Sequence, residues 1–168
     1  IVLGCIEGEK IIFRERMSTN PNATRLEVAS MIKTAFDMYR VDYNKIDGAI
    51  ISSVVPSVTK NVKGAIEKFA KIKVLVVEPG IKTGISIKID NPAQLGSDLL
   101  VSAVAGVAEY KTPLIIIDMG TATTVSVVNK NKEYIGGAIL PGVGISHDAL
   151  VNRTSKLQSI ALDEPKKV

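Results

Sequence analysis

Residues 118–124, Asp-Met-Gly-Thr-Ala-Thr-Thr, put one carboxylate beside a glycine and three threonines at the end of the apolar run 113–117. Hydroxyl and backbone N–H donors next to a carboxylate suit a phosphate chain and its counter-cation. The donors satisfy anionic oxygens while Asp118 holds a metal or a bound water. The same residues also suit an ordinary hairpin with a polar turn, and the types alone leave both readings open. A second carboxylate, Asp98, falls near the start of a predicted helix whose first turn holds Asn91, Pro92, Gln94 and Gly96. Negative charge is tolerated there, and a ligand meets free backbone N–H groups. Gly136, Gly137, Pro141, Gly142 and Gly144 predict a loop that approaches something closely. Ser52 and Ser53 either finish a strand or touch ligand. His147, the only histidine, has no Ser or Cys partner at a nucleophile turn and reads as a surface or helix-start residue.

The elements that must position these groups follow from periodicity. Residues 1–19 predict two strands around a Glu7-Gly8-Glu9 turn, and their abrupt start suggests that preceding residues are absent from this chain. Residues 22–39 carry Leu26, Ala29, Ile32, Ala35, Phe36 and Tyr39 at helical spacing, closed by residues 42–45. A buried strand over 48–56 leads into a helix with Val58, Val62, Ile66 and Ala70 inward, and residues 73–80 make another strand. A short strand then enters the helix bearing Asp98. The β-branched run 113–117 predicts a strand buried on both faces, followed by a second strand, Val-Ser-Val-Val. Residues 146–157 have helical spacing, and the chain ends on a strand-like Val168. The order implies mixed sheets flanked by helices, with a domain boundary at residues 111–113.

Composition narrows the function classes. The chain has 168 residues, of which 46% are hydrophobic, enough for a packed core. No apolar stretch approaches the roughly 20 residues of a membrane span, and the chain opens on no signal peptide, so a cytoplasmic location is expected. One cysteine, Cys5, gives no disulfide or thiolate cluster and reads as a small buried hydrophobe. A net charge of +4 is spread along the chain, and three Phe, four Tyr and no Trp leave little for base stacking. A mildly basic surface around an anion cleft explains the charge better than nucleic acid does.

Four segments together resemble the type III pantothenate kinases of bacteria: Ser-Ser-Val-Val-Pro-Ser-Val at 52–58, Asp-Asn-Pro-Ala-Gln-Leu-Gly-Ser-Asp at 90–98, the 118–124 segment, and Gly-Gly-Ala-Ile-Leu-Pro-Gly-Val-Gly-Ile-Ser at 136–146. The resemblance runs over nearly the whole chain. It implies an α/β, two-lobed actin-like (ribonuclease H-like) fold, with residues 1–112 as the N-terminal lobe and 113–168 as the start of an incomplete second lobe. It further implies transfer of the γ-phosphoryl of ATP to the terminal hydroxyl of pantothenate, the first step towards coenzyme A. On that resemblance Asp98 is the general base, and Asn91, Gly96, Ser97 and Gly137 line the substrate. Gly120, Thr121, Thr123, Pro141 and Gly142 bind nucleotide, and Asp118 holds a monovalent cation, K⁺ or NH₄⁺. Mg²⁺ travels with ATP, and a homodimer is implied.

The family's phosphate loop, Asp-x-Gly-Asn-Thr, does not occur here, and this chain starts where that loop would have just ended. Leu99 stands where the family usually has an arginine that pairs the substrate carboxylate. Ile89 replaces a frequent tyrosine, and Ser126 the usual aspartate. Losing a charge-assisted contact of roughly 1.5 to 3 kcal/mol weakens carboxylate binding about tenfold to over a hundredfold. Two alternatives follow: a kinase of the same fold for a less anionic alcohol, and a kinase-derived regulator of the transcriptional accessory type.

Overall fold

The apolar alternation along residues 2–16 selects a hairpin, and the chain forms it: β1 (Val2–Glu7) pairs antiparallel with β2 (Lys10–Arg16) around residues 8 and 9. The computed structural model describes residues 1–163. They build mixed α/β structure in two compact units, one of residues 1–81 with 96–98, the other of residues 82–95 with the chain from 99 onward.

In the first unit, Cys5 and Phe13 turn inward from the hairpin. Burial, then the charge of Glu7, raises the Cys5 thiol above its ordinary pKa, as fits a small core hydrophobe. Helix α1 (Arg25–Met38) starts three residues later than its periodicity suggests because Thr24 closes a capping box. The Glu27 N–H donates to Thr24 Oγ1 at 3.3 Å, and Glu27 Oε2 accepts the Thr24 N–H at 2.7 Å. Val28, Ile32, Ala35 and Phe36 form its buried stripe. After β3 (Ala49–Ile51), α2 (Pro56–Ala70) buries Val58, Val62, Ala65 and Ile66, with Ala65 taking the inward place expected of Ala70. Strand β4 (Val74–Val76) runs parallel to β3. Both two-stranded sheets share one apolar core with α1 and α2. Phe13 stacks on Tyr39 with ring centroids 4.7 Å apart and meets Phe36 edge-on at 5.2 Å. Asn61 Nδ2 donates to the Ala23 carbonyl at 2.9 Å and pins the entry of α1 to α2.

The second unit holds β5 (Ser86–Ile87), most of α3 (Ser97–Glu109), β6 (Leu114–Met119), β7 (Ala122–Val128), β8 (Glu133–Pro141) and α4 (Val143–Arg153). Its sheet has the order β5-β8-β7-β6, with β5 parallel to β8 and the other pairs antiparallel. Leu114 and Ile116 pack with Ala103, Val128 and Tyr134 into its core. Four expectations are corrected here. Strand β6 is buried on one face rather than both: it is an edge strand, and Ile115, Ile117 and Met119 are 69%, 61% and 70% exposed. Residues 136–141 continue β8 instead of forming a loop, because they keep pairing with β7 as far as Ala122–Pro141. Residues 92–94 form a separate 3₁₀ turn, capped by Asn91 and opened by Pro92, so α3 begins only at Ser97. Helix α4 spans residues 143–153 rather than 146–157, and the strand-like Val168 lies outside the described residues. No helix among the described residues is long and apolar enough to cross a membrane.

The capping box makes α1 acid-sensitive. Hydrogen bonds from the Thr24 N–H and then its hydroxyl lower the Glu27 pKa from the ordinary 4.5. A depressed folded-state pKa adds stability that is present above the unfolded value and lost as pH falls through the folded one. Thr24→Ala is expected to cost about 0.5 to 2 kcal/mol at neutral pH, and the deficit should shrink as pH drops below about 4. Urea midpoints of both proteins from pH 7 to pH 3 check this.

Candidate functional site

The end of β3 captures the start of α3. Ser97 Oγ donates to the Ser53 carbonyl at 3.2 Å and accepts from Ser52 Oγ at 3.1 Å. Ser53 Oγ accepts the Val55 N–H at 3.1 Å, immediately before α2 begins at Pro56. Ser52 and Ser53 therefore hold the residue preceding Asp98. Ser97, expected to line substrate, has its hydroxyl committed to this tether. Asp98 follows in the first turn of α3, exposed, with its carboxylate folded over Gly96. A Cβ on Gly96 would fall against Asp98 Oδ1, so a glycine there leaves the carboxylate its place. First-turn N–H groups and the helix dipole favour a negative charge at this position. Among the described residues no ion pair engages Asp98 or Asp118. An exposed carboxylate on a fixed backbone, with no cationic partner, can accept a proton from a bound hydroxyl.

In the second unit, sheet alternation sorts the threonines. Register pairs Leu114 with Val128, Ile116 with Ser126, and Asp118 with Thr124 on the core-facing side, while Met119 pairs with Thr123 on the opposite face. The core face thus becomes polar as it nears the turn, ending on Asp118 and Thr124. A carboxylate with all three threonines converging on it is corrected to a carboxylate with Thr124. Thr123 lies on the other face because successive strand residues point opposite ways. Two expected amide donors are also already used: the Gly120 N–H donates to the Ala122 carbonyl at 3.0 Å, and the Gly142 N–H to the Thr121 carbonyl at 3.1 Å.

Gly120, Thr121, Pro141 and Gly142 do meet, where the β6–β7 turn packs on the start of α4. Gly142 is buried, and a Cβ there would collide with the carbonyl oxygens of Gly120 and Thr121. Gly137 sits elsewhere, in the middle of β8 opposite Ser126, where a Cβ would strike the Val125 carbonyl. Asn91 is exposed, and its Oδ1 accepts the Ala93 N–H at 3.2 Å. His147 lies in α4, where its Nε2 accepts the Ile160 N–H at 3.2 Å. Among the described residues no three His, Cys, Asp or Glu side chains gather into a metal-holding group.

The model of the type III pantothenate kinase family matches residues 1–168. The chain belongs to that family. Among its type III pantothenate kinase relatives, one from Bacillus cytotoxicus is 44% identical over 99% of this chain and 64% of its own length. One from Brevibacillus brevis is 42% identical over 100% and 66%, and one from Exiguobacterium is 41% identical over 98% and 65%. The chain therefore spans a little under two thirds of the length of these pantothenate kinases.

The structure gives two of the unusual residues interior roles. Ile89 packs against the core of the second unit. Ser126 is 2% exposed and shares a hydrogen bond of 3.3 Å with the Tyr134 hydroxyl, so a neutral pair satisfies the interior. Leu99 is half-buried immediately after Asp98 and brings no donor to that end of α3.

Two glycines separate close approach from simple flexibility. Gly142→Ala is expected to destabilise by about 2 kcal/mol or more, because backbone oxygens must move. Gly144→Ala, whose Cβ meets nothing within 4 Å, should be neutral or stabilising. Thermal unfolding of the two variants side by side measures the difference.

Proposed function

We propose that the polypeptide containing this chain transfers the γ-phosphoryl of ATP to the terminal hydroxyl of pantothenate, giving 4′-phosphopantothenate and ADP. The observation that carries the reading is identity of 41% to 44% across nearly the whole chain to proteins named type III pantothenate kinase. Asp98 takes the proton of the attacking hydroxyl as the new O–P bond forms and the bond to the β-phosphate oxygen breaks. Such transfers need little covalent help, so an oriented base and well-placed donors are sufficient machinery. Ser97 positions Asp98 through its bonds to Ser52 and Ser53. Thr121, exposed at the β6–β7 turn, and Thr123 supply hydroxyl donors to nucleotide, with Gly120, Pro141 and Gly142 shaping the surface. Gly137 and Asn91 shape the backbone around the substrate.

Asp118 with Thr124 offers two oxygen ligands on one sheet face. That set suits a monovalent cation, K⁺ or NH₄⁺, whose remaining ligands are water and phosphate, and it is too small to cage Mg²⁺ by itself. Mg²⁺ arrives with ATP and neutralises charge on its phosphates. We further read the chain as part of a two-lobed actin-like fold in a cytoplasmic homodimer, with residues 1–112 in the first lobe and residues 113–168 opening the second; the two compact units cut across that division, since residues 82–95 and 99–112 belong to the second unit.

Leu99 favours a second reading, in which the acceptor is an alcohol without a carboxylate. Incubating the full-length polypeptide with ATP, Mg²⁺, K⁺ and pantothenate is expected to release ADP only when pantothenate is present. Turnover with a carboxylate-free alcohol but none with pantothenate would select the second reading, and none with any acceptor would reject phosphotransfer. Leu99→Arg should lower the KM for pantothenate by about 10- to 100-fold, the effect of one restored charge-assisted contact, with kcat little changed.

A further inference from the structure

The proton acceptor stands on a stretch of chain without positive charge. Lys and Arg make up 21 of the 168 residues, one in eight, yet none occurs over residues 48–59 or 89–110. The first stretch supplies β3 and its connection to α2, and the second supplies the 3₁₀ turn and the whole of α3. The flanking cations are engaged or displaced. Lys88 Nζ pairs with Glu133 Oε1 at 3.8 Å, Lys60 lies beyond the first turn of α2, and Lys111 follows the end of α3. The only charges on residues 89–110 are Asp90, Asp98 and Glu109, all negative. Within the first unit the groups beside Asp98 are neutral as well. The place a Cβ on Gly96 would take is bordered by Asp98 Oδ1 and, at 3.8 Å, by Val54 Cγ1. Val54 and Val55 are exposed and offer hydrocarbon, while the hydroxyls of Ser52, Ser53 and Ser97 are bonded within the tether.

We propose that the polypeptide also phosphorylates neutral N-alkyl amides of pantothenate, and does so at least as efficiently as pantothenate itself, an inference that rests on the phosphotransferase reading given above and names the acceptor class of the same site. In such an amide the carboxylate is masked and the reacting hydroxyl is unchanged. A surface whose fixed charges are all negative discriminates by charge: it repels an anionic tail and is indifferent to a neutral one. A carboxylate entering a site without a cation gives up hydration and gains no partner, whereas an amide gives up far less. Every bond changes as it does with pantothenate. The primary hydroxyl oxygen joins the γ-phosphorus, and the bond from that phosphorus to the β-phosphate oxygen breaks. ADP leaves with the electron pair, and the hydroxyl proton passes to Asp98.

Steady-state kinetics of the full-length polypeptide, with pantothenate and its N-propyl amide as paired probes, test this. At fixed ATP, Mg²⁺ and K⁺, kcat/KM for the amide is expected to equal that for pantothenate or to exceed it by up to about tenfold, with the two kcat values within about threefold of each other. A kcat/KM for the amide below that for pantothenate would overturn the proposal. Ionic strength gives a second readout. Raising it from about 0.05 to about 0.5 M with tetramethylammonium chloride should leave the KM for the amide unchanged and should not raise the KM for pantothenate, because there is no attraction to screen. A pantothenate KM that climbs about threefold or more with salt, while the amide KM stays constant, would reveal a cation on the carboxylate and overturn the proposal. Turnover of the amide with none of pantothenate would support it. Turnover of pantothenate alone would overturn this proposal only, whereas none with either probe would overturn the phosphotransferase reading along with it.

Discussion

The packing of α1 against α2 is the constraint on which the first unit depends. Neither half-sheet has enough strands to stand alone, and both are held by burial against the same helical pair, with Phe13, Phe36 and Val62 among the contacts. That burial fixes the end of β3, and the end of β3 holds Ser97, the first residue of α3. Three serines carry that packing to a carboxylate: Ser52, Ser53 and Ser97 tie the β3–α2 connection to the start of the helix that carries Asp98. The position of one carboxylate is thus traceable to the core of a sheet several residues away.

The second unit solves a different problem with the same economy of parts. Its sheet buries one face and turns polar at one end, and strand alternation does both. From Val128 through Ser126 to Thr124, and from Leu114 through Ile116 to Asp118, one face passes from hydrocarbon to a buried hydroxyl pair to an open carboxylate. The glycines around this end serve contact more than motion. Gly142 lets the chain entering α4 lie on the carbonyls of the β6–β7 turn, which is why the backbone amides there bond to the protein itself and why hydroxyls, rather than amides, are the donors left for a ligand.

Much of this was legible in the residues. The hairpin, α1, α2 and the approximate place of Asp98 follow from apolar spacing, and the capping box at Thr24 is a local signal that needs no tertiary context. What was illegible depends on partners distant in sequence. Strand β6 looks buried on both faces because its five apolar residues say nothing about which strand lies at an edge. The glycines of β8 suggest a loop because propensity cannot register the ladder to β7. Thr124 was recoverable as the neighbour of Asp118 by counting in twos across the turn, whereas the bond of Ser97 to Ser53 spans 44 residues and leaves no pattern. Within the family motifs, several residues, Gly137 and Ser97 among them, have work inside the fold.

The central claim is that Asp98 is the base of a phosphoryl transfer, held in place by the start of α3. Steady-state kinetics of Asp98→Asn in the full-length polypeptide tests it most directly, since the amide keeps the size and the helix position while removing the proton acceptor. The account predicts a fall in kcat of about 10²- to 10⁴-fold with the KM for ATP unchanged. A variant that kept its kcat, or lost activity only through a raised KM for ATP, would contradict it.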